Sequence, residues 1–273
     1  MRGNVLLRYT LPLLIALPIG FLILYPQLVR CLRVSQSTDF QTLAGMNTVY
    51  ISQTATPKQH AQLRRNVQHA YDRIRRFWGG RRGQAILIYC PTQDEYEQYC
   101  IGGEGAGCSL GMPWGDSYLV LGPDGNNTDV IAHELCHDEL FARLGWWRVK
   151  RQIPQWFNEG LALMVDYRFS HPAVWERSTD WQRDSTYVGD EPLKSFPGQP
   201  MLKLSDLETT RDFFGGDYHK VMQAYQIAAE EVARWLTLVG QPGVPALANA
   251  LANGDDFRQA YQQLEREKRR SGR

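Results

Sequence analysis

The sequence predicts an α+β protein, and three observations carry that expectation. Short apolar or alternating runs, the marks of strands, fall between residues 47 and 122. Runs with apolar residues three and four apart, the marks of helices, dominate from residue 128 onward. One long apolar segment stands before both, near the N-terminus. Strands in one half and helices in the other imply segregated layers rather than alternating βα units. The 273 residues, 43% hydrophobic and 22% charged, have the balance of an ordinary globular protein. Net charge is +1, which offers no global field for nucleic acid. The basic end "EREKRRSGR" reads as a solvated helix end.

The first element is "LPLLIALPIGFLILYPQLV", residues 11–29, which carries no charge. At helical rise it reaches about 28 Å, close to the hydrocarbon thickness of a bilayer. A cleavable signal peptide wants a shorter apolar core and a small-residue cleavage site. The sequence instead continues "RCLRVSQSTDF", without an A-x-A pattern. Residues 1–33 are therefore expected to be an uncleaved, single-pass membrane anchor that meets the lipid bilayer through 11–29. Arg2 and Arg8 before the span, against Arg30 and Arg33 after it, lean toward a cytoplasmic N-terminus. The remainder would then lie outside the cytoplasm, in the periplasm if the source is bacterial. Five cysteines suit an oxidising compartment, and Cys100 and Cys108, bracketing "CIGGEGAGC", are the favoured pair. Asn126-Asn127-Thr128 reads as a glycosylation sequon, relevant only in a eukaryotic secretory route.

Residues 34–46 read as a linker, and 47–273 as the domain. "NTVYIS" (47–52) alternates as a strand does. Thr56-Pro57 opens a helix whose face is Leu63, Val67, Tyr71, Ile74 and Trp78, ended by Gly79-Gly80. "QAILIY" (84–89) reads as a buried strand, 91–100 as a short helix or turn, and "SYLVLG" (117–122) as another strand. Thr128 caps a helix to about Leu144, closed by Gly145. Pro154 starts "PQWFNEGLALMVDYRF", stopped at His171-Pro172. Residues 171–216 read as irregular, a candidate cleft wall. Helices follow at about 217–239, 242–252 and 255–270.

The chemistry lies in "AHELCHDEL", residues 132–140. Residues four apart on a helix are about 40° apart around it, so His133 and His137 share a face. Two imidazoles at that spacing reach one zinc ion at about 2.1 Å each. Glu134, about 100° round from His133, stands beside the metal, where it can take a proton from the attacking water. A random shuffle of this composition gives roughly 0.006 H-E-x-x-H matches per chain. Catalytic zinc takes three protein ligands and keeps one position open, and Glu159 in "WFNEGLA" supplies the third. Asp138, Glu139 and Asp166 are the other nearby carboxylates. The first two lie too close on the same helix to close the triangle, and read as surface charges before partners of a histidine.

"HELCH" followed twenty-two residues later by the glutamate of "WFNEGLA" resembles the gluzincins, the zinc metallopeptidase clan of thermolysin and aminopeptidase N. The W-x-x-E-G-x-A form is similar to the peptidase-MA-like bacterial proteins of that clan. The resemblance spans about residues 47–265. It implies a thermolysin-type catalytic domain with a small sheet, a zinc helix and a helical second half. It also implies Zn2+ held by His133, His137 and Glu159, Glu134 as general base, and a peptide or protein substrate. The clan adds a tyrosine or histidine that hydrogen-bonds the developing oxyanion. Tyr225 matches the aminopeptidase position best, and His219 is the alternative by analogy with thermolysin. No G-x-M-E-N segment is present, so endopeptidase action is favoured over aminopeptidase action. Position 163, where thermolysin-type proteins have aspartate, is Leu. "SYLVLG" occupies the place of the clan's edge strand, with an interior strand as the other reading.

The rival function is a membrane-anchored binding or scaffold protein with a structural or relic zinc site. Such a site needs four closed ligands, and Cys136 is the local candidate for the fourth. The other readings of Cys136 are a small packing residue or a disulfide partner of Cys90.

Overall fold

The computed structural model describes residues 20, 25–100, 105–175 and 202–271. Its architecture is α+β: a five-stranded mixed sheet from the first half and a helical layer from the second. The strands are β1 (Phe40–Leu43), β2 (Met46–Ser52), β3 (Ile86–Tyr89), β4 (Gly107–Gly111) and β5 (Ser117–Leu121), in the order β1-β2-β3-β5-β4. β2, β3 and β5 run parallel, with Val49 beside Leu87 and Leu87 beside Leu119. β1 and β4 are antiparallel to their neighbours at the two ends.

Side-chain alternation along the central strands sends residues to two different cores. Val49, Ile51, Leu87, Tyr89, Leu119 and Leu121 face the larger one, with the main helices. Ile88, Tyr118 and Val120 face a smaller one, covered by α1 (Pro26–Arg33) and α3 (Gln93–Tyr99). Leu28 and Cys31 of α1 are buried there, and Arg30 donates through Nη1 to the Gln98 carbonyl at 2.9 Å. Residues 26–46 therefore differ from the sequence expectation of an anchor end and a linker. They contribute α1, a 3-10 turn (Val34–Gln36) and β1 to the folded body. The reason is visible afterwards: Leu28, Cys31, Val34, Phe40 and Leu43 are spaced to be buried one after another. Most of the expected span, residues 11–19 and 21–24, lies outside the described residues. Among those described, no helix is long and apolar enough to cross a membrane.

On the larger core's side, α2 (Pro57–Trp78) begins with a full capping box between Thr56 and Gln59 and ends at Gly79. It packs against α4 (Thr128–Leu144), which also lies against β4. The N-cap of α4 is Asn127 rather than Thr128, its side chain accepting from the Asp129 amide at 2.7 Å. Asn126 is buried and bonded to Gln59 and Asn66, which leaves no room for a glycan. After α4 come α5 (Trp146–Gln152) and α6 (Gln155–Met164). α6 ends five residues before the expected Phe169, because the chain turns back to hydrogen-bond Asp166 and Leu163. α7 (Thr210–Phe214) precedes α8 (Tyr218–Val239), α9 (Gly243–Ala252) and α10 (Phe257–Ser271). Residues 176–201 of the expected irregular stretch lie outside the described residues. Phe157 of α6, Trp235 of α8 and Tyr261 of α10 form the aromatic centre of this layer, with Trp235 stacked on Tyr261 at 4.9 Å.

β5, "SYLVL", is an interior strand, not an edge. The edge over α4 is β4, which grows from the glycine-rich loop closed by the Cys100–Cys108 disulfide. The sequence "GCSLG" has no alternating apolar pattern, so its strand character comes from pairing with β5 and not from its own residues.

Candidate metal centre

The centre is built where α4 crosses α6. Helical geometry sets His133 and His137 on one face of α4, their rings 5.1 Å apart and nearly perpendicular. Glu159 enters from α6, one Oε2 atom lying 3.5 Å from His133 Nε2 and 3.8 Å from His137 Nε2. Two ligands at about 2.1 Å from a tetrahedral ion stand about 3.4 Å from each other. The three side chains thus converge at the separation that a shared metal ion requires, and together they form a group able to hold one.

Each ligand is held from behind. Asn158 Oδ1 stands 3.0 Å from His137 Nδ1. Donation from Nδ1 to that carbonyl leaves Nε2 as a bare lone pair facing the centre. Asp166 Oδ2 lies 3.5 Å from His133 Nδ1, close enough for an ion pair but not hydrogen-bonded to it, so that buried nitrogen has no hydrogen-bond partner among the described residues. Asp166 is itself fully buried and clasped by Arg168, through Nε at 2.8 Å and Nη2 at 2.6 Å. Gln155 Nε2 donates to Glu159 Oε1 at 2.8 Å, turning the other oxygen toward the histidines. Gln155 is anchored in turn by Thr210 Oγ1 at 3.1 Å. Asp166, the third nearby carboxylate of the sequence, does not join the metal-holding group. Its place is behind His133, while Asn158 and Gln155 went unremarked. All three become visible only once α6 is known to end at Met164 and to face α4.

The electrostatics favour a cation. Burial opposes charge on His133, yet the carboxylates of Asp166, Glu159 and Glu134 around it raise its pKa to about 10. Burial lowers that of His137, with Glu159 opposing. Burial pushes up Glu159, but His137 and His133 outweigh it and hold the carboxyl below its usual range. Asp166 is likewise pushed up by burial, and Arg168 and His133 bring it down to about 2. Glu134 is only 8% exposed, and burial raises its pKa to about 7, with His133 acting against that shift and Glu159 and Asp166 adding to it. Glu134 lies under β4: a Cβ at Gly107 would stand 3.3 Å from its Cγ.

Tyr225 and His219 both lie on α8, in different settings. His219 is exposed in the first turn, its ring 5.9 Å from that of Tyr218. Tyr225 is half-buried beside Phe213 and Phe214. Burial raises its pKa, and the charges of Glu159, Glu134 and Asp166 add to the effect. Tyr225 therefore lies within electrostatic reach of the centre's carboxylates. α8 comes this close because Gly160, next to Glu159, lets it: a Cβ there would be 2.5 Å from the Ala228 carbonyl oxygen.

Three expectations about neighbouring residues are corrected. Asp138 and Glu139 are buried rather than surface charges. Asp138 accepts from the Ala85 amide at 3.1 Å and from Ser117 Oγ. Glu139 accepts from the Arg82 and Gly83 amides at 2.7 Å each and from Arg143 Nε at 3.0 Å. Their polarity masked this role, because the partners are main-chain amides distant in sequence. Cys136 is a free thiol in the larger core, while Cys90 lies in the smaller one across the sheet, so the two are not a disulfide. Nor does Cys136 belong to the metal-holding group, so it supplies no fourth ligand among the described residues. No protein-family model matches the chain, and no curated protein is significantly similar to it.

Proposed function

We propose that the chain is a membrane-anchored zinc metallopeptidase of gluzincin type that hydrolyses peptide bonds outside the cytoplasm. The observation that carries the reading is the convergence of His133, His137 and Glu159 on one point, with Glu134 buried beside it. The donor set of two imidazoles and one carboxylate suits zinc, and three ligands leave a fourth position open. When bound there, zinc would polarise a scissile carbonyl and acidify a water. Glu134 takes the proton from the attacking water and passes it to the leaving amine. Tyr225 donates its hydroxyl proton in a hydrogen bond to the developing oxyanion. β4 is one of the sheet's two edge strands among the described residues and passes over Glu134, so an extended peptide pairing with it would lie across the centre. The anchor rests on the apolar run 11–29, and the compartment on the disulfide Cys100–Cys108 together with the charge bias around that run.

The test is zinc content and peptide-library cleavage by the full chain, beside Glu134→Gln. Both proteins are expected to carry about one zinc, and the variant to lose at least about a hundredfold in kcat. Stoichiometric zinc with no cleavage of any library member would instead support the scaffold reading.

A further inference from the structure

We infer that the cavity walled in part by Gln155 and Asn158, the side chains bonded to Glu159 and His137, is a subsite for a substrate carboxylate, with Lys150 as the residue that selects it. This rests on the peptidase reading and specifies its substrate class. The cavity has a volume of about 410 Å3, and Gln155 and Asn158 form part of its wall. These are the side chains that hold Glu159 and His137, so cavity and metal group share a wall. Three cations also line it: Lys150, Arg151 and Arg211. Among the described residues none of the three has an ion-pair partner. Arg151 lies over the Trp147 ring at 5.3 Å, and Lys150 Nζ stands 6.0 Å from the Phe141 ring, one helical turn beyond His137. Glu208, the carboxylate on the cavity's rim, is already bonded to Arg258.

Grouped cations without a counterion repel one another, and an anion that enters relieves that repulsion. Lys150 is the member closest in effect to the centre. It is exposed as a residue, yet burial around its ammonium lowers its pKa, and the Glu159 charge opposes that shift. In a peptide substrate the available anions are the C-terminal carboxylate and the side chains of Asp and Glu. An ammonium is a point charge that recognises either. A basic residue in the same position would meet three like charges and be rejected.

The experiment is calorimetric binding of hexapeptides to the full-length Glu134→Gln protein, which binds without turning over. Five peptides form the set: one with a single central Glu and its Gln counterpart, each with either a free or an amidated C-terminus, and one with a central Lys. At least one kind of carboxylate is expected to tighten binding tenfold or more, and Lys150→Met to remove the gain. Lys150→Glu is expected to shift preference to a peptide with a central Lys. Tightening by the free C-terminus alone assigns the subsite to the chain end, and tightening by Glu alone assigns it to a side chain. Differences under twofold across the set, or a preference that Lys150→Glu and Arg211→Glu both leave intact, overturn the inference. The outcomes separate from those of the peptidase reading. Charge-dependent binding with no cleavage by the unmutated protein keeps the subsite and removes the peptidase. Cleavage without charge preference does the reverse.

Discussion

His133 and His137 are held by chemically different partners, and metal affinity will respond differently to each. Asn158 is a neutral carbonyl acceptor for His137, whereas Asp166 brings a charge to His133. A carboxylate behind a ligating imidazole raises its basicity as well as fixing its ring. Asn158→Leu and Asp166→Asn are both expected to weaken metal binding about 10- to 100-fold, the second more than the first. Competition with a chromophoric chelator measures this, and equal affinity in all three proteins would contradict it. Tyr225→Phe keeps the ring and removes one donor. It should lower kcat about 10²- to 10³-fold with KM and zinc content little changed. A fall in zinc content instead would give Tyr225 a structural role. At this scale the grouping of His133 and His137 was legible in the sequence, because helix geometry alone puts them on one face with Glu134 beside it. Asn158 and Asp166 were not. Their roles depend on how α6 lies against α4, which no local spacing encodes.

The fit between elements is set by a few close approaches. Among the described residues α6 and α8 share the most extensive helix–helix contact, and Gly160 is where their backbones meet. Gly160→Ala would force the Ala228 carbonyl and Val232 outward, since a Cβ stands 2.5 Å from one and 2.7 Å from the other. Overpacking of this kind costs about 1–3 kcal/mol. Because Tyr225 lies one turn before Ala228, the variant is expected to lose activity as well as melting temperature, while still binding zinc. Unchanged stability and kcat would show that α8 is free to shift. α4 is fixed differently, by the buried carboxylates of Asp138 and Glu139 on amides before β3. The helix that carries His133 and His137 is thereby tied to the sheet through charged hydrogen bonds, which are stronger than neutral ones. The helices with clear caps and stops, such as α2, could be read from the sequence nearly to the residue. β1, β4 and α5 could not. β1 has four residues, β4 lacks a pattern, and α5 follows directly on the glycine that closes α4.

Across the whole molecule, the sheet divides two cores, and the metal centre lies on the side of the larger. The order of elements made the α+β class legible, since strand runs and helix runs occupy different halves of the chain. The N-terminal boundary was not legible. The last residues of the apolar run, 26–29, belong to α1 of the folded body, and nothing in their composition marks that change. In the anchored reading, α1 leads into the domain with no linker between, and its docking on α3 would keep the domain near the bilayer. The central claim is that one metal ion is held by His133, His137 and Glu159 with a position open to solvent. X-ray absorption at the zinc edge of the purified full chain tests it most directly. The account predicts four nitrogen or oxygen neighbours at about 2.0–2.1 Å, two of them imidazoles, and an unchanged spectrum in Cys136→Ala. A sulfur neighbour at about 2.3 Å that disappears in Cys136→Ala, or the absence of stoichiometric zinc, would contradict it.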